Sequence, residues 1–393
     1  GQGALGAAPA DTDEFLVSDA GVLKRVDYSY IKGITQTSFL PTAAPLIING
    51  DMQVAQRGTS ETTASGYGTV DRFRCAFDSG AVTATQDTSV PTGYGFAKSW
   101  KLDTTTAVTS ITANHLGSAQ YRFEGQDLQL LKFGTANAEK ITVSFWVKST
   151  KTGTFICELE NTDSTRTCSQ AYTVSVTNTW EQKIVNFPAD TTGTITNDNA
   201  ESLRITWFLF AGTDYTSGTL ATTWESTTAA NRCVGQVNAL DSTSNDFLLT
   251  GIQMDVGEYT SSDLPPFRFE SYGDNLRRCW RYFRAMLPAD NLQANVRMGV
   301  GNAISTTVAQ VNHILPVRMR TTPSLVKSAD DTDLYLYQAT GGSPGQTAMA
   351  LTGNDSSSLV GTQHTVASGL TSTGACQILA GNTDARLSFN AEL

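Results

Sequence analysis

The sequence predicts an all-β protein with more than one domain. Thr, Ser, Gly and Asn are abundant, and charged residues make up only 16% of the chain. Short runs of alternating apolar and polar residues recur between turn residues, whereas helical periodicity is rare, and this combination is typical of β-sheet proteins. At 393 residues the chain is too long for one ordinary hydrophobic core, so we expect two or three domains.

The segment 1–44 predicts an attachment segment with one β-hairpin. A small-residue tail is followed by two short strand patterns around the turn Asp19-Ala20-Gly21. An isolated hairpin is at best marginally stable, so this one should gain stability from preceding repeats of a longer protein or from identical chains in an oligomer. The stretch from Pro41 to Pro45 predicts a linker.

Residues 45–270 predict a jelly-roll β-sandwich. The segment opens with residues 46–58, where Asn49-Gly50 predicts a tight turn between two short strands. Further strand candidates follow at short intervals, as in sandwich folds, and one short helix is predicted at 126–133. The strand candidates cover residues 70–77, 95–102, 141–147, 154–159, 181–187, 203–210 and 247–254.

Residues 271–290 predict a short helix that bridges two β domains, and residues 291–393 predict a second, C-terminal β-sandwich. The bridging segment carries apolar residues at the i, i+3, i+4, i+7 spacing of one helical face, namely Leu276, Cys279, Trp280 and Phe283. It also carries four arginines, which we interpret as its solvated or inter-subunit face because Arg favours paired carboxylates. These are Arg277, Arg278, Arg281 and Arg284.

The charge balance and the apolar content argue against two classes of partner. A net charge of −10 and a pI near 4.8 do not suit a phosphate backbone, so we expect no nucleic acid. No apolar run approaches the roughly 20 residues that cross a bilayer, which predicts no membrane insertion. The residues from Gly1 onward lack the basic and apolar regions of a signal peptide. We therefore expect a soluble protein, and if it works outside a cell it should get there by another route, such as lysis.

The cysteines and histidines do not predict a metal site. The six cysteines are scattered without a C-x-x-C pair, and we favour free thiols. Cys157 and Cys168 could nevertheless face each other across a hairpin and pair in an oxidising milieu. The three histidines lie far apart in the sequence, and surface or edge positions are expected for all of them, His115, His313 and His364.

No local catalytic signature is present in the sequence. It contains no G-x-S-x-G, no H-E-x-x-H and no Walker lysine. Enzymes with β-rich folds can still bring two carboxylates together through folding alone, so a polysaccharide-degrading protein stays an alternative. We predict a protein that is not an enzyme.

A set of short motifs follows a characteristic order over roughly the last nine-tenths of the chain. They are Asn49-Gly50-Asp51-Met52-Gln53, Gln56-Arg57-Gly58, Asp71-Arg72-Phe73, Val143-Ser144-Phe145-Trp146-Val147-Lys148, Gly251-Ile252-Gln253-Met254-Asp255-Val256-Gly257-Glu258, Pro266-Phe267-Arg268, Tyr272-Gly273, Cys279-Trp280-Arg281-Tyr282-Phe283 and Phe389-Asn390-Ala391-Glu392-Leu393. Together they resemble bacteriophage tail fibre and related virion proteins, particularly those of marine phages.

The resemblance implies a virion appendage subunit that helps to recognise a host surface. Its central part is similar to the jelly rolls of carbohydrate-binding modules, and such subunits are commonly homotrimers. The implied partners are identical chains, other virion proteins through the N-terminal segment, and a glycan or envelope protein of the host. The alternative to adhesion is a purely structural virion subunit, such as a fibre shaft or a capsid decoration.

Two kinds of site are expected. A sugar ring usually packs on a flat aromatic side chain beside amide and carboxylate groups, and four aromatics in polar loops are candidates, although packing or subunit contact would explain them equally well. They are Tyr67, Tyr94, Tyr215 and Trp224, whereas Trp146 and Trp207 lie in apolar strands and are expected in the core.

Carbohydrate-binding jelly rolls often hold a structural Ca²⁺ near the first and last strands, and calcium needs six to eight oxygen ligands. Asp51, Asp246 and Asp255 lie near those ends in sequence and are the candidate ligands. The alternative is that Asp51 is a turn residue and Asp255 a surface residue. Ca²⁺ is the one cofactor that the sequence suggests.

Overall fold

The computed structural model of the chain describes residue 10 and residues 12–28, 44–286, 294–328, 330, 333–338, 344–353 and 355–393. Almost all regular elements in these residues are β-strands, and they form sheets of antiparallel neighbours. The all-β prediction is therefore confirmed. In the described part, no helix combines the length and the apolar character needed to cross a membrane.

The N-terminal hairpin consists of β1 (Glu14–Asp19) and β2 (Val22–Asp27). Ala20 and Gly21 form the turn with positive φ angles, as the Asp-Ala-Gly pattern predicts. Nearly every side chain of both strands is exposed. The predicted linker at Pro41 lies outside the described residues.

The central domain is a sandwich of two six-stranded antiparallel sheets, as the jelly-roll prediction requires. One sheet has the order β11-β8-β14-β6-β5-β3 and the other β13-β10-β9-β12-β7-β4. The strands are β3 (Ser60–Glu61), β4 (Phe73–Phe77), β5 (Ala81–Asp87), β6 (Ser99–Thr106), β7 (Leu116–Glu124), β8 (Ile141–Ser149), β9 (Gly153–Asn161), β10 (Arg166–Val174), β11 (Glu181–Phe187), β12 (Glu201–Ala211), β13 (Glu225–Ser226) and β14 (Asp246–Val256).

The alternation of side chains along these strands builds the core. On β8, Phe145 faces inward and meets the ring of Trp207 from the opposite sheet at 5.7 Å, whereas Trp146 lies on the outer face. Both tryptophans are buried, but the prediction of a core position holds for Trp207 alone, since Trp146 is covered on the outer face of the sheet. Short helices occupy the connections, namely the 3₁₀ helices Gly125–Leu131 and Ala229–Asn231 and the helix α1 (Thr213–Thr216).

Residues 46–58 form turns and not the predicted strand, turn and strand. The Asn49 side chain is buried and binds backbone groups that a neighbouring strand would otherwise bind. Its amide oxygen accepts a hydrogen bond from the Val54 N–H, and its amide nitrogen donates to the Val54 and Asp71 carbonyls. Gly50 allows the close approach of another strand, since a Cβ there would lie 2.1 Å from the Ile252 carbonyl oxygen. The apolar residues are buried by packing against the sandwich, which the alternation rule does not anticipate.

The bridging helix is shorter than predicted. It runs as α2 (Tyr272–Cys279), begins at Ser271, whose hydroxyl accepts a hydrogen bond from the Asp274 N–H, and is followed by the short strand β15 (Phe283–Ala285). Phe283 fits the i, i+7 spacing that predicted the helix, but it lies in the strand after the helix has ended.

The C-terminal domain is a second sandwich of a three-stranded and a six-stranded sheet. The orders are β15-β23-β18 and β19-β22-β16-β17-β21-β20. Apolar side chains from both sheets, including Leu387 and Phe389, form one core between them. The strands are β16 (Arg297–Ala303), β17 (Val308–Ile314), β18 (Ser324–Lys327), β19 (Leu334–Tyr337), β20 (Gln346–Leu351), β21 (Leu359–Val366), β22 (Ala375–Ala380) and β23 (Leu387–Asn390).

Two histidines are buried in this core, so the prediction of surface or edge positions is wrong for His313 and His364. The imidazole of His313 lies 2.9 Å from the Thr362 hydroxyl, which lies 2.7 Å from His364. The other ring nitrogen of His364 lies 2.6 Å from the Gln346 amide oxygen. Neighbouring strands supply these polar partners, which make burial of the rings possible.

The six cysteines are free and buried. Cys157 lies opposite Gln170 and Cys168 opposite Leu159 in the β9–β10 pair, so the two thiols do not face each other. Burial raises the pKa of Cys168 to about 12, which keeps this thiol protonated and unreactive.

The two sandwiches meet at a buried polar cluster that we call the domain junction, formed by Gln56, Arg57, Asp71, Arg72 and Glu392. Arg72 pairs with Glu392 and donates a hydrogen bond to the Arg122 carbonyl at 2.7 Å. Gln56 donates hydrogen bonds to Asp71 and to the Phe283 carbonyl. Burial raises the pKa of Asp71 to about 6 against the opposing effect of Arg57.

Candidate functional site

The first part of the site is an exposed tyrosine whose ring packs against a buried tryptophan. Tyr94 lies between two glycines with positive φ, Gly93 and Gly95, in the loop that precedes β6. Its side chain is 54% exposed, and its ring centre lies 4.3 Å from that of Trp146 on β8. The loop thus presents one aromatic face to solvent while its base is fixed by the sheet.

The second part is a cluster of three phenylalanines beside the same loop. The Phe96 ring lies 5.0 Å from Phe267 and 5.2 Å from Phe269, and the latter two lie 4.8 Å apart. Phe269 is 51% exposed and packs over Gly95, where a Cβ would lie 3.2 Å from its ring. The exposed rings of Tyr94 and Phe269 therefore flank one glycine.

A glycine in the last strand of the domain joins the two parts. Gly251 has a positive φ and lies at an irregularity in the pairing of β14 with β8. A Cβ at this position would come within 2.5 Å of Phe96 and 3.0 Å of Trp146. We call the resulting continuous group the aromatic surface, and it consists of Tyr94, Phe96, Trp146, Phe267 and Phe269.

Polar side chains border the aromatic surface on the same face of the sheet. Gln182 lies directly opposite Trp146 in the β11–β8 pair and is exposed. Lys148 lies two residues after Trp146 on the same strand and donates a hydrogen bond to the Ser89 hydroxyl at 3.0 Å. Together they supply an amide and an ammonium group beside the exposed rings.

The aromatic surface leads into a cleft of about 1200 Å³ between the jelly roll and α2, lined by Phe267 and Phe269 together with several arginines. Arg278 pairs with Glu270 at 2.6 Å and Arg281 with Glu124 at 2.6 Å. The prediction that these arginines form a solvated or inter-subunit face is therefore wrong for Arg278 and Arg281, which bind carboxylates of their own chain.

The other two arginines of that prediction behave differently from each other. Arg284 lies beyond the helix and stacks over the Trp280 ring at 3.9 Å, so it too has a partner within the chain. Arg277 is exposed at the cleft and forms no ion pair with the described residues, which agrees with a solvated position.

Three of the four predicted aromatic candidates are packed within the chain. The Tyr67 hydroxyl donates to the Leu393 carbonyl at 3.2 Å, and burial raises the pKa of Tyr67 to about 12. The Trp224 indole donates to the Pro188 carbonyl at 2.7 Å. Tyr215 packs against a small apolar cluster of β9 and β12. These positions fit the packing alternative, so Tyr94 is the candidate that the structure leaves exposed.

Sequence reasoning missed Phe267 and Phe269 and assigned Trp146 to the core alone. A signal was present in the run Pro265-Pro266-Phe267-Arg268-Phe269, where two prolines precede alternating aromatics and fix an extended backbone. Their partner Phe96 lies far away in sequence, and no local pattern links it to them.

The three predicted calcium ligands do not form one site. Asp246 and Asp255 lie near opposite ends of β14, which at about 3.3 Å per residue separates them by roughly 30 Å. Asp255 also pairs with Arg268. Among the described residues, no group of three or more His, Cys, Asp or Glu side chains could hold a metal ion. A cation here would need amide oxygens as further ligands.

Asp51 does line a small space of about 10 Å³ together with Gln253, Glu270 and Asn275. The amide oxygens of Gln253 and Asn275 are buried and accept no hydrogen bond from the residues that the structure describes. Burial raises the pKa of Asp51 to about 6, and the Glu270 carboxylate contributes. The unpaired amide oxygens are ligands that Ca²⁺ accepts, but Arg268 also lines the space and the Asn275 amide donates to Asp51 at 3.3 Å, so calcium at Asp51 stays a prediction.

If Ca²⁺ binds there, saturating Ca²⁺ should raise the unfolding temperature relative to EDTA, because a ligand at 100 times its Kd stabilises the folded state by about 2.7 kcal/mol. Asp51→Asn should abolish the difference. Asp246→Asn is the matched control and should preserve it, since Asp246 lies at the far end of β14. Equal unfolding temperatures of the unmodified chain in Ca²⁺ and EDTA would contradict the prediction.

The carboxylates on the opposite sheet are held by arginines. Glu158 is fully buried and pairs with Arg232, which also contacts Glu160 at 3.3 Å. Arg204 contacts Glu160 at 3.1 Å. Burial raises the pKa of Glu158 and Arg232 opposes the shift. These contacts join the neighbouring strands β9 and β12 to the loop that carries Arg232.

Comparison with known proteins gives only weak likenesses. No known protein family and no curated protein matches the sequence. Among solved structures, 54% of the chain matches 21% of the tailspike protein 4 enzymatically active domain of bacteriophage CBA120, with 13% identity and a TM-score of 0.28. The chain thus covers about a fifth of that tailspike domain.

Two further likenesses are to whole carbohydrate-binding domains. The CBM22-1 xylan-binding domain from Paenibacillus barcinonensis Xyn10C matches over its full length and 53% of this chain, with 11% identity and a TM-score of 0.26. The family 11 module of the Clostridium thermocellum cellulase Lic26A-Cel5E matches over 97% of its length and 51% of this chain, with 13% identity and a TM-score of 0.24. These scores are too low to carry a functional parallel.

Proposed function

We propose that the chain binds glycans through the aromatic surface. The observation that carries this proposal is the pair of exposed rings, Tyr94 and Phe269, on a rigid base of buried aromatics. The apolar face of a sugar ring can pack on such rings with little loss of side-chain freedom, because the rings are already held in place.

The polar border supports the same ligand class. A glycan presents hydroxyl groups around its apolar faces, and Gln182 and Lys148 offer donors and an acceptor beside the rings. The cleft beyond Phe269 continues the surface with exposed Arg277, which could accept a further sugar unit. Apolar rings with a few polar groups at the edge are the usual composition of a ligand site.

In its finer form, the proposal is that the protein is an adhesion subunit of a bacteriophage particle, namely a tail fibre component with several copies per appendage. The motif order that resembles tail fibre proteins supports this role, and the N-terminal segment would then contact other virion proteins. Single contacts with sugars are weak, and several linked copies raise the apparent affinity through effective concentration. The host receptor would be a surface glycan or an envelope protein.

The test is binding of the purified chain to a glycan array, followed by affinity measurement on the best ligand. Tyr94→Ala and Phe269→Ala should each weaken binding by about 5- to 30-fold, the effect of losing a central aromatic contact worth about 1 to 2 kcal/mol. Val326→Ala removes an exposed apolar side chain from the C-terminal domain and should leave binding unchanged. Equal affinity of all three variants and the unmodified chain would reject the aromatic surface as the site.

We also propose that the chain binds glycans without cleaving them. Glu158 is fully buried against Arg232 and Glu160 contacts Arg204, so both carboxylates already have arginine partners within the chain. Incubation with the glycan that binds should release no new reducing ends. Release of product would favour the polysaccharide-degrading alternative, and no binding to any glycan or envelope preparation would favour a purely structural subunit.

A further inference from the structure

The outer face of the six-stranded C-terminal sheet is uncharged over most of its area. Directly opposite residues of adjacent strands share one face, and one row of them crosses five strands as Ala375, Asn302, Gln310, Gln363 and Ala350. Four of these five side chains are exposed and the fifth is half-buried. None carries a charge, and three are amides.

A second row runs beside the first and carries exposed apolar side chains. It includes Tyr337, Gln377, Val300 and Asn312. Val300 is 63% exposed, and Ile314, at the end of the neighbouring strand, is 81% exposed. Exposed aliphatic side chains that lie together on one face indicate a contact surface, whereas single ones need no explanation.

Charge is almost absent from the strands that build this face. Among the described residues of β16, β17, β19, β20, β21 and β22, the one Asp, Glu, Lys or Arg is Arg297, which donates a hydrogen bond to Gln377 at 2.7 Å. The whole chain carries a net charge of −10. Two copies of the chain repel each other over most of their surface, and an uncharged face is where they can approach closely.

We propose that this face is the contact between copies of the chain. In a rotationally symmetric assembly the same residue types meet across or around the axis. Side-chain amides suit such a contact because each one both donates and accepts hydrogen bonds, so Asn302, Gln310 and Asn312 can pair with one another without a partner of opposite charge. Ile314 and Val300 supply the apolar area.

This inference deepens the multivalent adhesion proposed above and rests on it for the role of the contact, but the two are tested separately. Ile314→Lys places a charge on the face and, because the side chain is exposed, should leave the fold intact. We expect the unmodified chain to form an oligomer in sedimentation analysis. The dissociation constant of this oligomer should be at least tenfold higher for the variant. Val176→Lys, at a site in the central domain that is 52% exposed, is the matched control and should leave the mass unchanged.

A second variant tests the contact directly. Gln310→Cys introduces an exposed thiol into a chain whose six cysteines are all buried, and mild oxidation should produce covalently linked copies. A monomer at every concentration would overturn the proposal, as would an oligomer that Ile314→Lys does not weaken. Loss of glycan binding by Ile314→Lys in a monomeric chain would show that the face binds a glycan instead. Tyr94→Ala should leave the mass unchanged, so failure of the glycan site and failure of the copy contact give different results.

Discussion

Replacing Glu392 with Gln is expected to lower the free energy of unfolding by about 3 to 5 kcal/mol. Its carboxylate pairs with Arg72 and Arg57 at the domain junction, where both Glu392 and Arg72 are buried. The amide keeps the size of the side chain but removes its charge. Arg72 would then be a buried cation without its carboxylate, and breaking a buried pair in this way is strongly destabilising.

Urea unfolding followed by tryptophan fluorescence measures this change, since all six tryptophans lie between residues 100 and 280. Glu258→Gln is the control, because its ion pair with Lys140 is more than half exposed and should contribute less than about 1 kcal/mol. The double variant Arg72→Met and Glu392→Leu should be more stable than Glu392→Gln, since it leaves no unpaired charge. Equal stability of Glu392→Gln and Glu258→Gln would show that the junction pair contributes little.

Acidification from pH 7 to pH 4 is expected to destabilise the C-terminal sandwich by several kcal/mol. Burial lowers the pKa of His313 to about 4 and that of His364 to about 3, and neighbouring His313 adds to the effect on His364. An unfolded histidine binds its proton near pH 6.5. Between pH 6.5 and 4 the unfolded chain therefore binds more protons than the folded chain, and the stability falls as the pH falls.

The expected size follows from the shift, because 1.36 kcal/mol corresponds to one pKa unit and the change for His313 alone is then roughly 3 kcal/mol. Two buried carboxyls outside the C-terminal core, Asp51 and Asp71, act in the opposite direction. Burial raises the pKa of each to about 6, so the folded state gains these protons first as the pH falls, and the protonated forms favour folding. We therefore expect the C-terminal sandwich to open before the central one.

Amide hydrogen exchange between pH 7 and pH 4 distinguishes the two domains, after correction for the intrinsic effect of pH on exchange. Protection should be lost first in β17 and β21, which carry the two histidines. A double variant, His313→Asn with His364→Gln, removes both titrating groups and should be less stable at pH 7 but less sensitive to acid. Imidazole signals assigned to His313 or His364 that titrate near pH 6.5 in the folded protein would contradict the prediction.

Long strands with alternating residues were predictable from the sequence, whereas elements fixed by distant partners were not. The segment 181–187 matches β11, and the candidate at 203–210 lies within β12, because both alternate over enough residues to define a face. Residues 46–58 include apolar residues but form no strand, because the Asn49 side chain binds the Val54 backbone N–H and carbonyl that a neighbouring strand would otherwise bind. The burial of His364 depends on a hydrogen bond with Gln346 on another strand. No local sequence pattern predicts that these two residues meet.

The candidate site was predictable only in part for the same reason. Tyr94 stood out because glycines on both sides leave its ring uncovered. Phe269 and Phe96 lie far apart in sequence and meet only after β14 closes the sheet, so neither suggested a site alone. A two-residue period also cannot tell an outer face covered by aromatics from a core face, which is why Trp146 was assigned to the core.

Several motifs that carry the resemblance to tail fibre proteins meet at or beside the domain junction, and two others contribute Trp146 and Phe267 to the aromatic surface. Asn49, Gln56, Asp71 and Arg72 belong to three of these motifs, and each is buried with partners within the chain. Glu392 belongs to the last motif and completes the cluster. The motif residues therefore contribute both to the connection between the two sandwiches and to the base of the aromatic surface.

The pairing of Arg72 with Glu392 also sets an order of events during synthesis. The two residues are 320 positions apart, and at a translation rate of 5 to 20 residues per second the second emerges roughly 15 to 60 s after the first. During this interval the central sandwich can form its sheets, but Arg72 has no carboxylate at the junction. A nascent chain stalled before residue 392 should therefore hold a folded but weakened central domain, which pulse proteolysis would cleave faster than the finished protein.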